Sequence, residues 1–223
     1  MLANSRLPTS AQTAIHEHLA TLLDRHVGSV FRKPYADYNR AACAASLERR
    51  ERVAPNSPLI LDSCCGVGES SIALARAFPD HYVIGVDQSE SRLSRNTGGK
   101  SELPPNLDLV RADLVDYWRL LHDAGIRLER HYLLYPNPWP KIGQLSRRWH
   151  GHPVFPIMLE LGGVLECRSN WPIYIEEFCF AAERLTQCPA ECQPYVPDQA
   201  LTPFERKYFS SGHSLFRAIV QLP

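Results

Sequence analysis

Apolar positions recur along this chain at two spacings, and their alternation lays out a fold. Runs at Leu59 to Leu61, Tyr82 to Val86, Leu107 to Val110 and His131 to Tyr135 have the length and apolar density of buried strands. A fifth strand follows a glycine turn within LGGVLECRSN, Leu161 to Asn170, and ends in Ser169 and Asn170. A last one spans His213 to Leu222. Helical spacing fills the intervals: Ile72, Leu74 and Ala75 running to Phe78, then about Ser89 to Asn96, Leu114 to Ala124, Val154 to Leu161 and Ile173 to Leu185. Strands alternating with helices predict an α/β protein with a doubly wound, mostly parallel sheet and an antiparallel terminal strand.

Ahead of this pattern, Ala11 to His26 repeats Ile15, Leu19, Leu22 and Leu23 at helical spacing, and a second helix is expected from Tyr38 to Arg52. Pro55 and Pro58 mark the entry to the main domain, dividing the chain into an N-terminal helical segment, 1–53, and a domain, 54–223. The segment either caps the sheet or folds over a ligand at its edge. Residues 1 to about 10 are polar and expected to be mobile. Loops are expected at Gly98, Gly99, Pro104 and Pro105, and from Thr186 to Gln199.

The 223 residues suffice for one sizeable core. No run of about 18 apolar residues indicates a membrane span, and Met1 to Thr13 lacks the apolar core of a signal peptide. A cytoplasmic protein is expected. The seven cysteines are odd in number and form no Cys-x-x-Cys pair, so free thiols in a reducing compartment fit them better than disulfides. Cys188 and Cys192, with only His150 and His152 for company, make a poor zinc set, and no metal is expected. Basic and acidic residues balance at 24 each, which excludes a strongly basic coat but leaves room for local patches. One patch is Lys141, Arg147, Arg148, His150 and His152; another gathers Arg25, His26, Arg32, Lys33, Arg40, Arg49, Arg50 and Arg52.

The chemistry concentrates at strand ends. In LILDSCCGVGESS, Leu59 to Ser71, a strand reaches Asp62 and turns through Gly66 and Gly68 into a helix, a geometry that brings bare backbone and helix amides up to a nucleotide-like ligand. Asp87 closes the second strand about 20 residues after the glycines, where a carboxylate can accept from ribose hydroxyls. The third strand leads into Arg111, Ala112 and Asp113, so Asp62, Asp87 and Asp113 fall beside one crevice, with Ala112 and Asp113 near an adenine. No Gly-Lys-Ser/Thr follows the glycines, which excludes a P-loop. An acid ahead of the glycines would repel a pyrophosphate and suits a ligand with a cationic aminoacyl end.

The fourth strand runs into YPNPWPK, Tyr135 to Lys141. Proline fixes its own backbone and favours an extended predecessor, so Asn137 and Trp139 are expected in a rigid, extended loop that presents groups to a substrate.

The first stretch resembles motif one of S-adenosylmethionine-dependent methyltransferases, with Cys64 in place of the first of its three alternating glycines. YPNPWPK with the downstream SRRW, GGVLECRSNWPIY, and TPFERKY at Thr202 to Tyr208 together resemble, in order, the motifs of the tRNA (guanine-N7) methyltransferase family. The resemblance covers about Leu59 to the C-terminus and leaves the N-terminal segment out. It implies a Rossmann-like class I methyltransferase fold, S-adenosylmethionine as cofactor and tRNA as substrate. Position by position it puts Asp62, Asp87 and Asp113 on the family's cofactor-binding acids and Asn137 on its active-site aspartate; with Gly66, Gly68 and Ala112 from the strand ends above, and Asn137, these make the expected cofactor site, and Asn137, Lys141 and Asn170 are the expected catalytic residues. Substrate binding falls on Lys141, Arg147, Arg148, Asn170, Tyr174, Thr202, Phe204 and Glu205. Asn137 and Asn170 stand where the family has aspartate, so the site lacks two negative charges.

Guanine N7 already offers a lone pair, so methyl transfer to it is chiefly alignment with electrostatic help for the cationic product. An asparagine presents one acceptor and one donor group, a weaker match than carboxylate to guanine's paired N–H edge. Two other readings stay open: an N-methyltransferase acting on another nucleobase or a small purine-like molecule, because Asn137-Pro138-Trp139 also resembles the Asn-Pro-Pro-aromatic loop of amino-methyltransferases; and a silent homologue that binds cofactor or RNA.

Overall fold

The computed structural model describes residues 5–97 and 103–223. Two helices come first, α1 (Leu19–Val27) and α2 (Asp37–Val53). Then strands and helices alternate: β1 (Leu59–Ser63), α3 (Glu69–Ala77), β2 (Tyr82–Asp87), α4 (Glu90–Thr97), β3 (Leu107–Arg111), α5 (Leu114–Asp123) and β4 (Arg130–Leu134). The chain closes through α6 (Phe155–Glu160), β5 (Gly163–Ser169), α7 (Pro172–Thr186), β6 (Ala190–Tyr195), α8 (Pro203–Ser210) and β7 (Leu215–Leu222). The expected loop through Gly98 and Gly99 lies outside the described residues.

The seven strands form one sheet in the order β3-β2-β1-β4-β5-β7-β6. The first five pair in parallel, while β7 runs antiparallel to both β5 and β6, as the sequence pattern predicts for the terminal strand. Chain order reverses between β1 and β4, the place where a doubly wound sheet opens a crevice at its carboxyl edge. Every residue of β1 and β2 is buried, as expected of parallel strands covered on both faces. Leu59 and Leu61 point into a large core with Trp118, Phe155 and Phe178; Ile60 points the other way, into a smaller core with Leu74 and Ala75 of α3.

Two local departures from the sequence pattern have physical causes. Where a loop is expected, β6 forms, an outer strand with no buried residue, in which Pro194 is tolerated because an edge needs no complete ladder. The first helix is shorter than its apolar spacing: residues 5–16 are not helical and run across the carboxyl edge instead. Ser5 N donates to Ser211 Oγ (3.3 Å), Ser10 Oγ to the Pro140 carbonyl (2.5 Å), and His16 N to Glu177 Oε1 (3.0 Å). The described part of the expected mobile tail is therefore fastened to the proline loop and to the end of α8, and the chain just after it to α7.

Candidate functional site

Asp62, one residue before the end of β1, is fully buried. Its Oδ2 accepts from Ser70 Oγ and Ser71 Oγ, both at 2.6 Å, while its Oδ1 has no partner. Burial pushes its pKa up to about 6, against the opposing pull of the two serines. Ser71 comes this close because Gly85, in the facing strand, has no Cβ to collide with it.

The turn that follows contains three left-handed residues, Cys64 (φ 62°), Gly66 (φ 61°) and Gly68 (φ 80°). Cysteine thus occupies a glycine conformation at some conformational cost. Burial pushes its thiol pKa up to about 12, against a smaller downward pull from the neighbouring Trp149 side chain. Above Gly66 lies open space: a Cβ there would meet nothing within 4 Å. A cradle with bare backbone and an unpaired buried carboxylate oxygen fits a ligand carrying an amine.

Asp87 caps the turn from the neighbouring strand. Its Oδ2 accepts from Gly66 N (3.0 Å), its Oδ1 from Ser89 N (2.8 Å), and Arg92 reaches it only at 3.3 Å. The buried Ala112 donates its N–H to the Asp87 carbonyl. Asp113 is committed to structure: Oδ1 accepts from Val115 N at the start of α5, Oδ2 from Lys33 Nζ (3.2 Å), and its own N–H donates to Asn39 of α2.

Across the crevice, Trp139 in the proline loop does not take the extended backbone expected of a residue before proline, and neither does Tyr135. Tyr135 (φ 53°) and Trp139 (φ 44°) are both left-handed. Hydrogen bonds hold them there: Tyr135 N donates to the Arg168 carbonyl and Tyr135 Oη to Glu205 Oε1 (2.9 Å), while Trp139 N donates to Asn137 Oδ1 (3.3 Å) and its carbonyl accepts from Arg148 Nε (3.2 Å). Asn137 itself is exposed. Strain of this kind collects where a backbone must present groups rather than relax.

Of the expected substrate residues, Lys141, Arg147 and Phe204 are exposed, with the Arg147 guanidinium 4.8 Å from the centre of the Trp139 ring. Arg148 requires a correction. Its side chain is fully buried and donates to Glu177 Oε2 (2.6 Å) and Gln12 Oε1 (2.9 Å), so it holds the fold and has no face for a phosphate. Tyr174 is likewise interior, accepting from Trp149 N. Thr202 caps α8 by accepting from Glu205 N (2.9 Å). Glu205 is buried between Arg168 Nη1 (2.9 Å), Tyr135 Oη and Leu201 N (2.7 Å), tying α8 to β5 and the proline loop. Asn170, just past β5, is buried, with Nδ2 3.1 Å from His213 Nδ1.

Ser70, Ser71, Gln12, Arg168, Glu177 and His213 shape the site without having stood out in the sequence. The serines directly after Gly68 carried a readable signal. The others meet their partners only through folding, His213 across 43 positions and Gln12 across 165.

A family model described as "Putative methyltransferase" matches residues 56–218. The tRNA (guanine-N(7)-)-methyltransferase of Acinetobacter baylyi is 24% identical over 96% of this chain and 83% of its own length. That of Treponema pallidum is 27% identical over 93% of this chain and 90% of its own. Among solved structures, the 16S rRNA methyltransferase KamB superposes with a TM-score of 0.60 at 16% identity, covering 86% of this chain and 96% of that one, and shares the fold.

Proposed function

The chain belongs to the methyltransferase family whose model spans residues 56–218, and we propose that it transfers a methyl group from S-adenosylmethionine to guanine N7 of tRNA. Relatives named for that reaction, aligned over most of the chain, support the substrate. Two observations carry the cofactor: the unpaired, buried Asp62 Oδ1 near the end of β1, and the open space above Gly66 in the turn that follows. When bound, S-adenosylmethionine supplies an electrophilic methyl on a sulfonium.

Asp62 would hold the amine of the aminoacyl end, Gly66 and Gly68 admit the ligand close to bare backbone, and Asp87 accept from the ribose hydroxyls in place of its long contact with Arg92. The buried Ala112 would flank the adenine, with Asp113 fixing that corner by capping α5. Asn137 and Asn170, at the ends of the two strands beyond the switch point, would frame the base. Guanine N7 needs no deprotonation, so their work is alignment and the binding of the base edge. Lys141, Arg147 and Phe204 supply two charges and one ring on exposed ground, the means of holding phosphate and stacking on a base. A tRNA substrate agrees with a cytoplasmic protein; no helix among the described residues is long and apolar enough to cross a membrane.

The two asparagines favour a second reading, an acceptor other than guanine N7, because an amide also donates. Incubation of the purified protein with labelled cofactor and total tRNA or a metabolite extract, followed by mass spectrometry of the methylated nucleosides, separates the two. Labelled 7-methylguanosine in tRNA is the expected result. Label confined to another nucleoside or to a small molecule would exclude the first reading. In parallel, Asp87→Ala should weaken cofactor binding by about 1 to 3 kcal/mol, and unchanged affinity by calorimetry would remove Asp87 from the ribose.

A further inference from the structure

His213 and Asn170 form a relay whose polarity is fixed from outside. His213 Nε2 lies 2.9 Å from the Ser5 carbonyl, which can only accept, so Nε2 carries a proton. In the neutral ring Nδ1 is then an acceptor, and its partner at 3.1 Å must be the donating end of the Asn170 amide. Stacking on Tyr208, with centroids 5.5 Å apart and planes 11° apart, holds the plane of the ring, and the two hydrogen bonds set which nitrogen meets which partner. Tyr208 in turn stacks on Phe204. Asn170 Oδ1 accepts from no described residue.

Resting on the reading of Asn170 as a substrate contact, we propose that His213 is a positioning residue: it occupies the amide's NH2 and so turns Asn170 into an acceptor toward the crevice. A carboxylate at this position offers oxygen on both sides and needs no such orientation. An asparagine needs it, because a flipped amide would face the base with a donor. The relay thus compensates for the missing carboxylate and selects a substrate that presents an N–H, as the Watson–Crick edge of guanine does. It also gives the N-terminal segment a part in specificity, through the single carbonyl of Ser5.

The test crosses two changes in the full-length protein. His213→Phe keeps a ring to stack on Tyr208 but removes both hydrogen bonds, while His213→Gln can restore an acceptor for Asn170. Each is combined with Asn170 and with Asn170→Asp, and methyl transfer to tRNA is measured as kcat and KM. With Asn170 in place, His213→Phe should lower kcat/KM about tenfold, the worth of one hydrogen bond felt in the transition state, and His213→Gln should recover most of it. In the Asn170→Asp background, where Nδ1 must take up a proton to meet a carboxylate, the same change should alter kcat/KM by less than about threefold, because the oxygen turned to the crevice accepts with or without the ring. Equal losses in both backgrounds would overturn the relay and leave His213 a packing residue. Nitrogen-15 NMR of the His213 ring gives a reading that needs no turnover. A protonated Nε2 with a bare Nδ1 is expected, and a proton on Nδ1 would overturn the proposal. Absence of methyl transfer to tRNA by the parent protein would count against the proposed function, and the ring's tautomer alone would then decide the relay.

Discussion

Arg148 Nη1 and Glu177 Oε2 lie 2.6 Å apart with both side chains fully buried. The same carboxylate receives His150 Nε2 (2.8 Å) and, from the N-terminal segment, Gln12 Nε2 (2.5 Å) and His16 N (3.0 Å). Burial alone would push Glu177 upward, but His150 and Arg148 outweigh it and hold the carboxyl at about 2. Burial keeps His150 neutral and donating. Through Arg148 Nε the cluster also grips the Trp139 carbonyl, joining α7, the N-terminal segment and the proline loop.

Glu177→Gln should therefore be among the most damaging single changes. It strands the Arg148 charge without a counter-ion, at about 3 to 5 kcal/mol, which for a chain of this size corresponds to a fall in melting temperature of about 10 °C. Because the Glu177 pKa is lowered on folding, its contribution is present above the unfolded value near 4.5 and is lost as pH falls toward about 2. Melting curves from pH 6 to pH 3 should show a steeper loss for the parent than for Glu177→Gln. Parallel curves would mean that the cluster is not held by charge.

Asp62 gives the opposite sign. Its pKa is raised on folding, so its favourable contribution is complete below about 3.8 and disappears as pH rises through about 6. A cationic amine beside the carboxylate would remove that penalty. S-adenosylmethionine should consequently bind about tenfold more tightly at pH 7 than at pH 5 if its amine returns the pKa to its ordinary value. Asp62→Asn should flatten the dependence. Calorimetry across this range decides it, and a flat profile for the parent would take the amine away from Asp62.

The sequence pattern anticipates the sheet and the turn at Gly66 because both are local: apolar runs specify the strands, and a strand that turns through glycines into a helix leaves few other geometries. It reads Arg148 as surface charge because the run SRRW looks the same whether an arginine faces water or a buried carboxylate 29 positions away. Trp139 shows a related limit. Proline chemistry argues for an extended residue, yet a bond from its N–H to the Asn137 side chain two residues back and one from Arg148 to its carbonyl hold it left-handed. Asn170 stood out in the sequence as a candidate site residue at the end of a strand, while its partner His213 did not, since nothing local links the two.

The basic residues near the proline loop now divide into two kinds, and salt separates them. Lys141 and Arg147 are exposed and free to meet phosphate, so replacing either by alanine should weaken tRNA binding and reduce the slope of log affinity against log salt by about 0.7 to 0.9. Arg148→Ala should instead lower the melting temperature, because its loss leaves Glu177 buried without its cation. Filter binding from low to moderate salt, beside thermal melts of the same variants, checks both. An unchanged slope in Lys141→Ala/Arg147→Ala would make this patch an ordinary solvated face.

Asn137 offers the sharpest contrast between the two readings of the acceptor. It is exposed at the carboxyl edge, and its Oδ1 accepts from Trp139 N, which leaves its NH2 turned away from that bond. Asn137→Asp preserves the acceptor that holds the Trp139 backbone, so the loop should keep its shape and the melting temperature should stay within about 2 °C, the effect of a surface change of about 0.5 kcal/mol. What changes is the charge near the base. If guanine N7 is the acceptor, the product is cationic, and a carboxylate in place of the amide should preserve or raise kcat. If the NH2 of Asn137 donates to some other acceptor, the substitution removes that bond and leaves its partner unpaired, at about 1 to 3 kcal/mol, a roughly tenfold to hundredfold loss in rate. The two outcomes differ in sign, so a single comparison of Asn137→Asp with the parent on tRNA discriminates them. A gain or no change on tRNA guanine excludes the donating role for Asn137, and a loss of tenfold or more at unchanged melting temperature excludes guanine N7 as the atom this site was built to align.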